Sequence, residues 1–77
     1  MMSEMEWLET FAGNLQYIME ERKFSQSYLS RVADVSQSTI SRYLSGEQMP
    51  SIRAIINIAY ALGCDIADLT DFGDAID

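Results

Sequence analysis

The chain has 77 residues, 48% of them apolar and 22% charged, and twelve acidic against five basic residues leave a net charge of −7 with no histidine. One small core fits this length, and without histidine the commonest general base and metal ligand are missing. Neither a conventional hydrolase nor a metal or cofactor site is therefore expected. No apolar run approaches the ~20 residues of a membrane span, and no secretory signal opens the chain. The lone Cys64 cannot form an internal disulfide, which fits a reducing cytoplasm; it reads as a small buried apolar residue.

In chain order, Trp7, Leu8, Phe11, Leu15, Ile18 and Met19 recur at helical spacing and predict an amphipathic helix ending near Lys23. Gly13 weakens that helix without breaking it. Four more helix starts follow, each with a capping residue and apolar residues one before it and four after it, the arrangement of a hydrophobic staple. The caps are Ser25 (Phe24, Leu29), Ser36 (Val35, Ile40), Ser51 (Pro50, Ile55) and Asp65 (Cys64, Leu69). Asp68 adds a weak capping box to the last. Helix two is expected over about 26–33, helix three over about 37–45 and helix four over 52–62. Gly46 and Gly63 suit the left-handed residue that closes a helix, and Asp34 tolerates that conformation in the turn between helices two and three. Helix four is the most apolar element, with Ile52, Ile55, Ile56, Ala59, Tyr60 and Leu62, and is expected at the centre of the core. The fold class is all-α, a compact bundle of five short helices without strands. Residues 1–10 form an acidic N-terminal extension of helix one, residues 11–69 the folded domain and residues 70–77 a short acidic tail.

Charge is arranged in blocks. Residues 1–21 carry five acidic and no basic residues, residues 54–77 again five and none, and the central 32 residues carry all five basic residues against Asp34 and Glu47. Such segregation either reflects chance in a short chain or steers an anionic partner to one face. Stepping about 100° per residue from Ile40 turns Tyr43 and Leu44 inward and leaves Gln37, Ser38, Ser41, Arg42 and Ser45 on the side or outside. That outer face holds an amide, hydroxyls and one guanidinium but no carboxylate. On an ordinary solvated face of so acidic a chain, carboxylates are expected; without them the face suits phosphates and base edges.

Helices two and three make a helix-turn-helix candidate, and here the chain resembles the Cro/CI repressor-type, or XRE, family. The resemblance runs from about Phe11 to Leu69 and is carried by LQYIMEERKFSQSYLSRVADVSQSTISRYLSGEQMPSIRAIINIAYALGCDIADL. The S-Q opening of helix two, V-S-Q-S-T-I-S leading into helix three, L-S-G before a loop ending in P-S, and A-L-G-C-D-I-A-D-L are its parts. The resemblance implies a lambda-repressor-like five-helix domain that binds double-stranded operator DNA as a homodimer with helix three in the major groove. Gln37, Ser38, Ser41 and Arg42 match base-facing positions; Gln37 suits adenine and Arg42 suits guanine O6 and N7. Gln26, Ser36, Ser45 and Ser51 match phosphate contacts, the last through the helix N-terminus that follows it. Arg31 and Arg53 are phosphate neighbours or plain surface charges. Met19 and Leu44 replace an arginine–glutamate pair that the family often buries, a joint exchange that strands no charge. Ser30 stands at the small residue of helix two, and Asp34 stands where the family places the turn glycine.

With so few basic residues, non-specific DNA affinity is expected to be weak and its salt dependence shallow. A second reading keeps the scaffold but not the DNA: an acidic protein-interaction module, an anti-repressor or accessory regulator, with a protein partner. Catalytic residues, a membrane partner and a small-molecule ligand are not expected. Trp7, Leu8, Phe72 and Ile76 are the apolar residues least needed by the five-helix core; they either form a dimer contact or cap the core's ends.

Overall fold

Residues 2–71 are described by a computed structural model, and the order of elements is α1 (Glu4–Arg22), α2 (Gln26–Ala33), α3 (Gln37–Leu44), α4 (Ile52–Leu62) and α5 (Ile66–Thr70). No strand occurs among the described residues. Phe72 and Ile76 lie outside them.

Local signals account for the helix boundaries. The Ser25, Ser36 and Ser51 hydroxyls accept from the N–H groups of Tyr28, Thr39 and Ala54 at 3.0, 3.2 and 3.1 Å, each satisfying a backbone donor that the helix itself cannot. At α5 the Asp68 carboxylate accepts from the Asp65 N–H at 3.0 Å. One cap was not anticipated. Ser3 and Glu6 exchange N–H donors reciprocally, both at 3.1 Å, which starts α1 in the acidic segment. Its other end closes on Lys23 in the left-handed region, φ 59°, with the Phe24 N–H reaching back to the Met19 carbonyl at 2.9 Å. Asp34 takes the same conformation between α2 and α3, φ 57°. α3 ends one residue early, with Ser45 as its C-cap.

Every helix gives at least one side chain to the centre: Phe11 and Leu15 from α1, Leu29 from α2, Ile40 from α3, Ile58 from α4 and Leu69 from α5 are fully buried. Leu29, Ile40 and Leu69 are also the fourth residues after their caps, so one side chain both fixes the start of a short helix and anchors it in the core. Trp7 stacks on Phe11 with ring centroids 5.4 Å apart, and Tyr43 meets Phe11 edge-on at 6.0 Å. Of the two roles open to Trp7, capping the core is the one this stacking favours. Met19 is buried and Leu44 half-buried, and both line one groove, so these positions are filled by apolar packing in place of an ion pair.

α1 also clamps two helix ends with polar side chains. The Asn14 amide donates to the Leu69 and Asp71 carbonyls at 2.9 and 3.0 Å, and Arg22 Nε donates to the Leu62 carbonyl at 3.0 Å. These satisfy carbonyls that the ends of α5 and α4 leave open, and the arginine lies at the electronegative end of α4. Arg22, although part of the basic block, is therefore spent on the fold. Cys64 is half-buried; burial, with Asp68 and Asp65 adding and Arg22 opposing, raises its thiol above the ordinary value.

α4 departs from expectation. Ala54, Ile55, Ile58, Ala59 and Leu62 are buried, whereas Ile52, Ile56 and Tyr60 are 74%, 46% and 88% exposed. The helix is central as its apolar content predicts, but Ile52, Ile56 and Tyr60 do not join the core. An eleven-residue helix with apolar residues on most of its circumference cannot turn all of them to one set of neighbours.

Candidate nucleic-acid interface

α2 and α3 are joined by Asp34, Val35 and Ser36. The left-handed Asp34 sends its own N–H back to the Ser30 carbonyl, the Val35 N–H follows to the same acceptor at 3.2 Å, and Ser36 then caps α3. This tight reversal holds the two helices in the contact made through Leu29, Ala33 and Ile40. α3 buries Ile40 and Tyr43 and half-buries Leu44, and it exposes Gln37, Ser38, Ser41 and Arg42. Burial pushes the Tyr43 phenol above its ordinary value of 10.0, against a smaller opposing effect of the Arg42 charge. Tyr43 is thus a neutral core residue beneath the exposed face.

The exposed face is tied together by side chains. Ser36 Oγ donates to Thr39 Oγ1 at 2.7 Å and lies 3.3 Å from Ser38 Oγ. Arg42 Nη2 reaches Thr39 Oγ1 at 3.5 Å, a long contact, and Arg42 Nε donates to Gln48 Oε1 at 2.8 Å. Gln48 comes from the loop after α3. Gly46, at φ 75°, turns that loop back so that the Glu47 N–H meets the Arg42 carbonyl at 2.9 Å. A guanidinium has five N–H donors; with Nε on Gln48, the Nη end remains to meet a bidentate acceptor. Gln37 and Ser41 share this face and carry no carboxylate between them.

Among the phosphate candidates, Gln26 lies at the first position of α2 and lines a groove of about 330 Å³ with Leu44, which brings the start of α2 beside the end of α3. Ser36 and Ser51 are caps, as above. Ser45 Oγ donates to the Arg42 carbonyl at 3.1 Å and to Glu47 Oε2 at 2.5 Å; its single proton serves one at a time, and a carboxylate stands beside it. Arg31 lies over the Tyr28 ring, 5.4 Å from its centroid, and Arg53 is exposed in the first turn of α4. These two arginines stand outside the Ser36–Thr39–Arg42–Gln48 network.

The starts of the helices differ in charge. The first turns of α2, α3 and α4 contain no acidic residue, while those of α1 and α5 contain Glu4, Glu6 and Asp68. A carboxylate at a helix N-terminus is favoured by about 0.3–1 kcal/mol, and this acidic chain uses that gain only at α1 and α5, not at α2, α3 or α4. At these three N-termini the serine caps take one N–H each, and no first-turn carboxylate opposes an anion at the rest.

The helix-turn-helix family HTH_3 matches residues 15–69. The chain belongs to that family. Among solved structures, an HTH_3 family transcriptional regulator from Vibrio cholerae superposes with a TM-score of 0.84 at 19% identity, over 87% of this chain and 38% of that one. The restriction-modification controller protein C.AhdI from Aeromonas hydrophila superposes with a TM-score of 0.78 at 22% identity, over 80% of this chain and 94% of that one. The chain therefore spans 38% of the Vibrio regulator, and at such identities the likeness is one of fold. No curated protein is significantly similar to it in sequence. As a member of the helix-turn-helix family over residues 15–69, the protein shares the overall fold of these two structural neighbours.

Two residues of the family member's exposed network, Thr39 and Gln48, were not anticipated. Thr39 is half-buried at the edge of the outward arc and had no signal beyond its polarity. Gln48 lies six residues beyond Arg42 in a loop, where no periodicity connects them.

Proposed function

We propose that the protein is a sequence-specific repressor that places α3 in the major groove of a palindromic operator as a dimer. The observation that carries this reading is the neutral, hydroxyl- and amide-rich outer face of α3, with Arg42 held at its centre of hydrogen bonding. Gln37 and Arg42 would read bases, adenine and guanine respectively, each good bidentate contact supplying about 1–3 kcal/mol of discrimination. Ser38 and Ser41 are short enough to let the helix backbone approach the base edges. Gln26, Ser36 and Ser51, with the open N–H groups of the helix starts, would fix the register on phosphates, assisted by Arg31 and Arg53. Ser45 is the weakest of these candidates, since Glu47 competes for its proton. Repression follows from occupancy of the operator.

The test is selection from randomised duplexes followed by salt titration on the winner. The expected result is a defined sequence, bound with a log–log salt slope of about −4 for a dimer using Arg31 and Arg53 of each protomer on phosphates. A slope near −8 or beyond, which requires about nine neutralised phosphates at ~0.9 each, would sink the account of a mostly neutral interface. Absence of selection at any salt would favour the protein-interaction reading.

Gln48 has a separate expected result. Gln48→Ala removes one hydrogen bond to a charged group, a loss of about 1.5–3 kcal/mol at most, concentrated in discrimination at the base pair that Arg42 reads. Gel shifts on the selected duplex and on duplexes altered at one pair at a time measure it. A loss spread evenly over all pairs would show that Gln48 acts on the loop instead of orienting Arg42.

A further inference from the structure

α4 carries, on the side turned from the core, a row of Ile52, Ile56 and Tyr60, exposed to 74%, 46% and 88%. Spacing of four residues puts them one above another along the helix. The row exposes on the order of 450 Å², more than half of the ~800 Å² that each partner gives to a standard interface, and it falls within the ~300–600 Å² of a monomer's largest patch, which is often functional. Nothing in α1, α2, α3 or α5 covers it.

We propose that a second copy of this chain covers the row, in an antiparallel α4–α4 contact with Ile56 on the two-fold axis. The contact supplies the dimer of the reading proposed above. Three features select a second copy as the occupant. First, the row is symmetric about Ile56, with Ile52 one turn before and Tyr60 one turn after. A two-fold contact needs a self-complementary patch, and an antiparallel pairing sets Ile56 on the partner's Ile56 and Ile52 on the partner's Tyr60. Second, rows of this spacing are the ridges that interdigitate in the commonest class of helix packing. Third, α4 contains no acidic residue and a single basic one, Arg53. In a chain of net charge −7 this is a helix on which two copies can meet without opposing carboxylates.

The geometry makes a cysteine test specific. In a Cys64→Ala background, Ile56→Cys places two thiols at the axis. Two Ile52→Cys thiols would be eight residues apart along the pair, about 12 Å, beyond the ~7 Å Cα separation that a disulfide spans. Under mild oxidation without DNA, the expected result is covalent dimer for Ile56→Cys and none for Ile52→Cys alone or for Glu9→Cys, an exposed position on α1. An equal mixture of the Ile52→Cys and Tyr60→Cys proteins is expected to form the mixed dimer. Ile56→Cys cross-linking no faster than Glu9→Cys, or Ile52→Cys cross-linking with itself, overturns the pairing. Sedimentation supplies a second measure: the wild type dimerises at high micromolar concentration, and Ile56→Glu, with unchanged helicity, is monomeric. A wild type that stays monomeric there overturns it as well. Since no DNA is present, failure here is distinct from failure of operator binding.

Discussion

Arg42→Ala is expected to lower affinity for the selected operator by about 5- to 150-fold, the equivalent of the 1–3 kcal/mol that one good bidentate base contact contributes. Affinity for unrelated duplexes should fall much less, by the loss of one phosphate-range charge. Arg42→Lys separates the two effects: it keeps the charge but loses the planar fork, so it should restore salt-dependent attraction and leave discrimination impaired. Gln37→Ala should produce a similar loss at a different base pair. Titrating each variant against the operator and a scrambled duplex measures both quantities. If Arg42→Ala preserved the full ratio between the two duplexes, α3 would not be the reading element. Gln48 couples to the same guanidinium at 2.8 Å, so the Arg42 and Gln48 losses should not add.

Phe11→Ala should abolish most of the fold's stability. The ring is fully buried, stacked on Trp7 and met edge-on by Tyr43, so it joins the start of α1 to α3. Truncating a buried phenylalanine costs about 3–5 kcal/mol. A domain of this size holds only about 4–11 kcal/mol in all, at ~0.05–0.15 kcal/mol per residue. A fall in Tm of at least 12 °C, or loss of the cooperative transition, is the expected outcome by thermal circular dichroism, given about 4–8 °C per kcal/mol for small domains. Trp7 is the single tryptophan, and its fluorescence reports the same contact independently. A shift below 5 °C would mean that the α1–α3 contact contributes little.

Acidity shapes what such a regulator does. Arg22 is held at the α4 carbonyl end, which ties one of the five basic side chains to the fold. In the reading proposed above, weak attraction to bulk DNA would leave discrimination to Gln37 and Arg42, with the helix N-termini fixing register on phosphates. A binder of this kind occupies few sites outside its operator.

Much of the architecture is legible in the residues because its signals are local. Each of α2, α3 and α4 carries a serine cap that bonds three residues ahead and an apolar side chain four residues past the cap, so start, orientation and buried face are written within five positions. The same reasoning, stepped around α3 from Ile40, separates the exposed Gln37, Ser38, Ser41 and Arg42 from the buried Tyr43. The end of α1 near Lys23 follows the apolar spacing, but with no glycine there nothing in composition announces the left-handed residue that closes it.

By itself, then, the sequence determined the five helices, the helix-turn-helix and the polar face of α3, since these follow from interactions within a turn or two of chain. Only the tertiary structure decided which of α4's two apolar faces meets the core and leaves Ile52, Ile56 and Tyr60 outside. Only it brought Asn14 to the end of α5 and Arg22 to the end of α4, and it alone set Gln48 against Arg42. Hydropathy counts apolar residues around a helix but does not say which neighbours are present to bury them. Hydrogen bonds between residues 6, 40 or 55 positions apart exist only once packing has brought their helices and loops together.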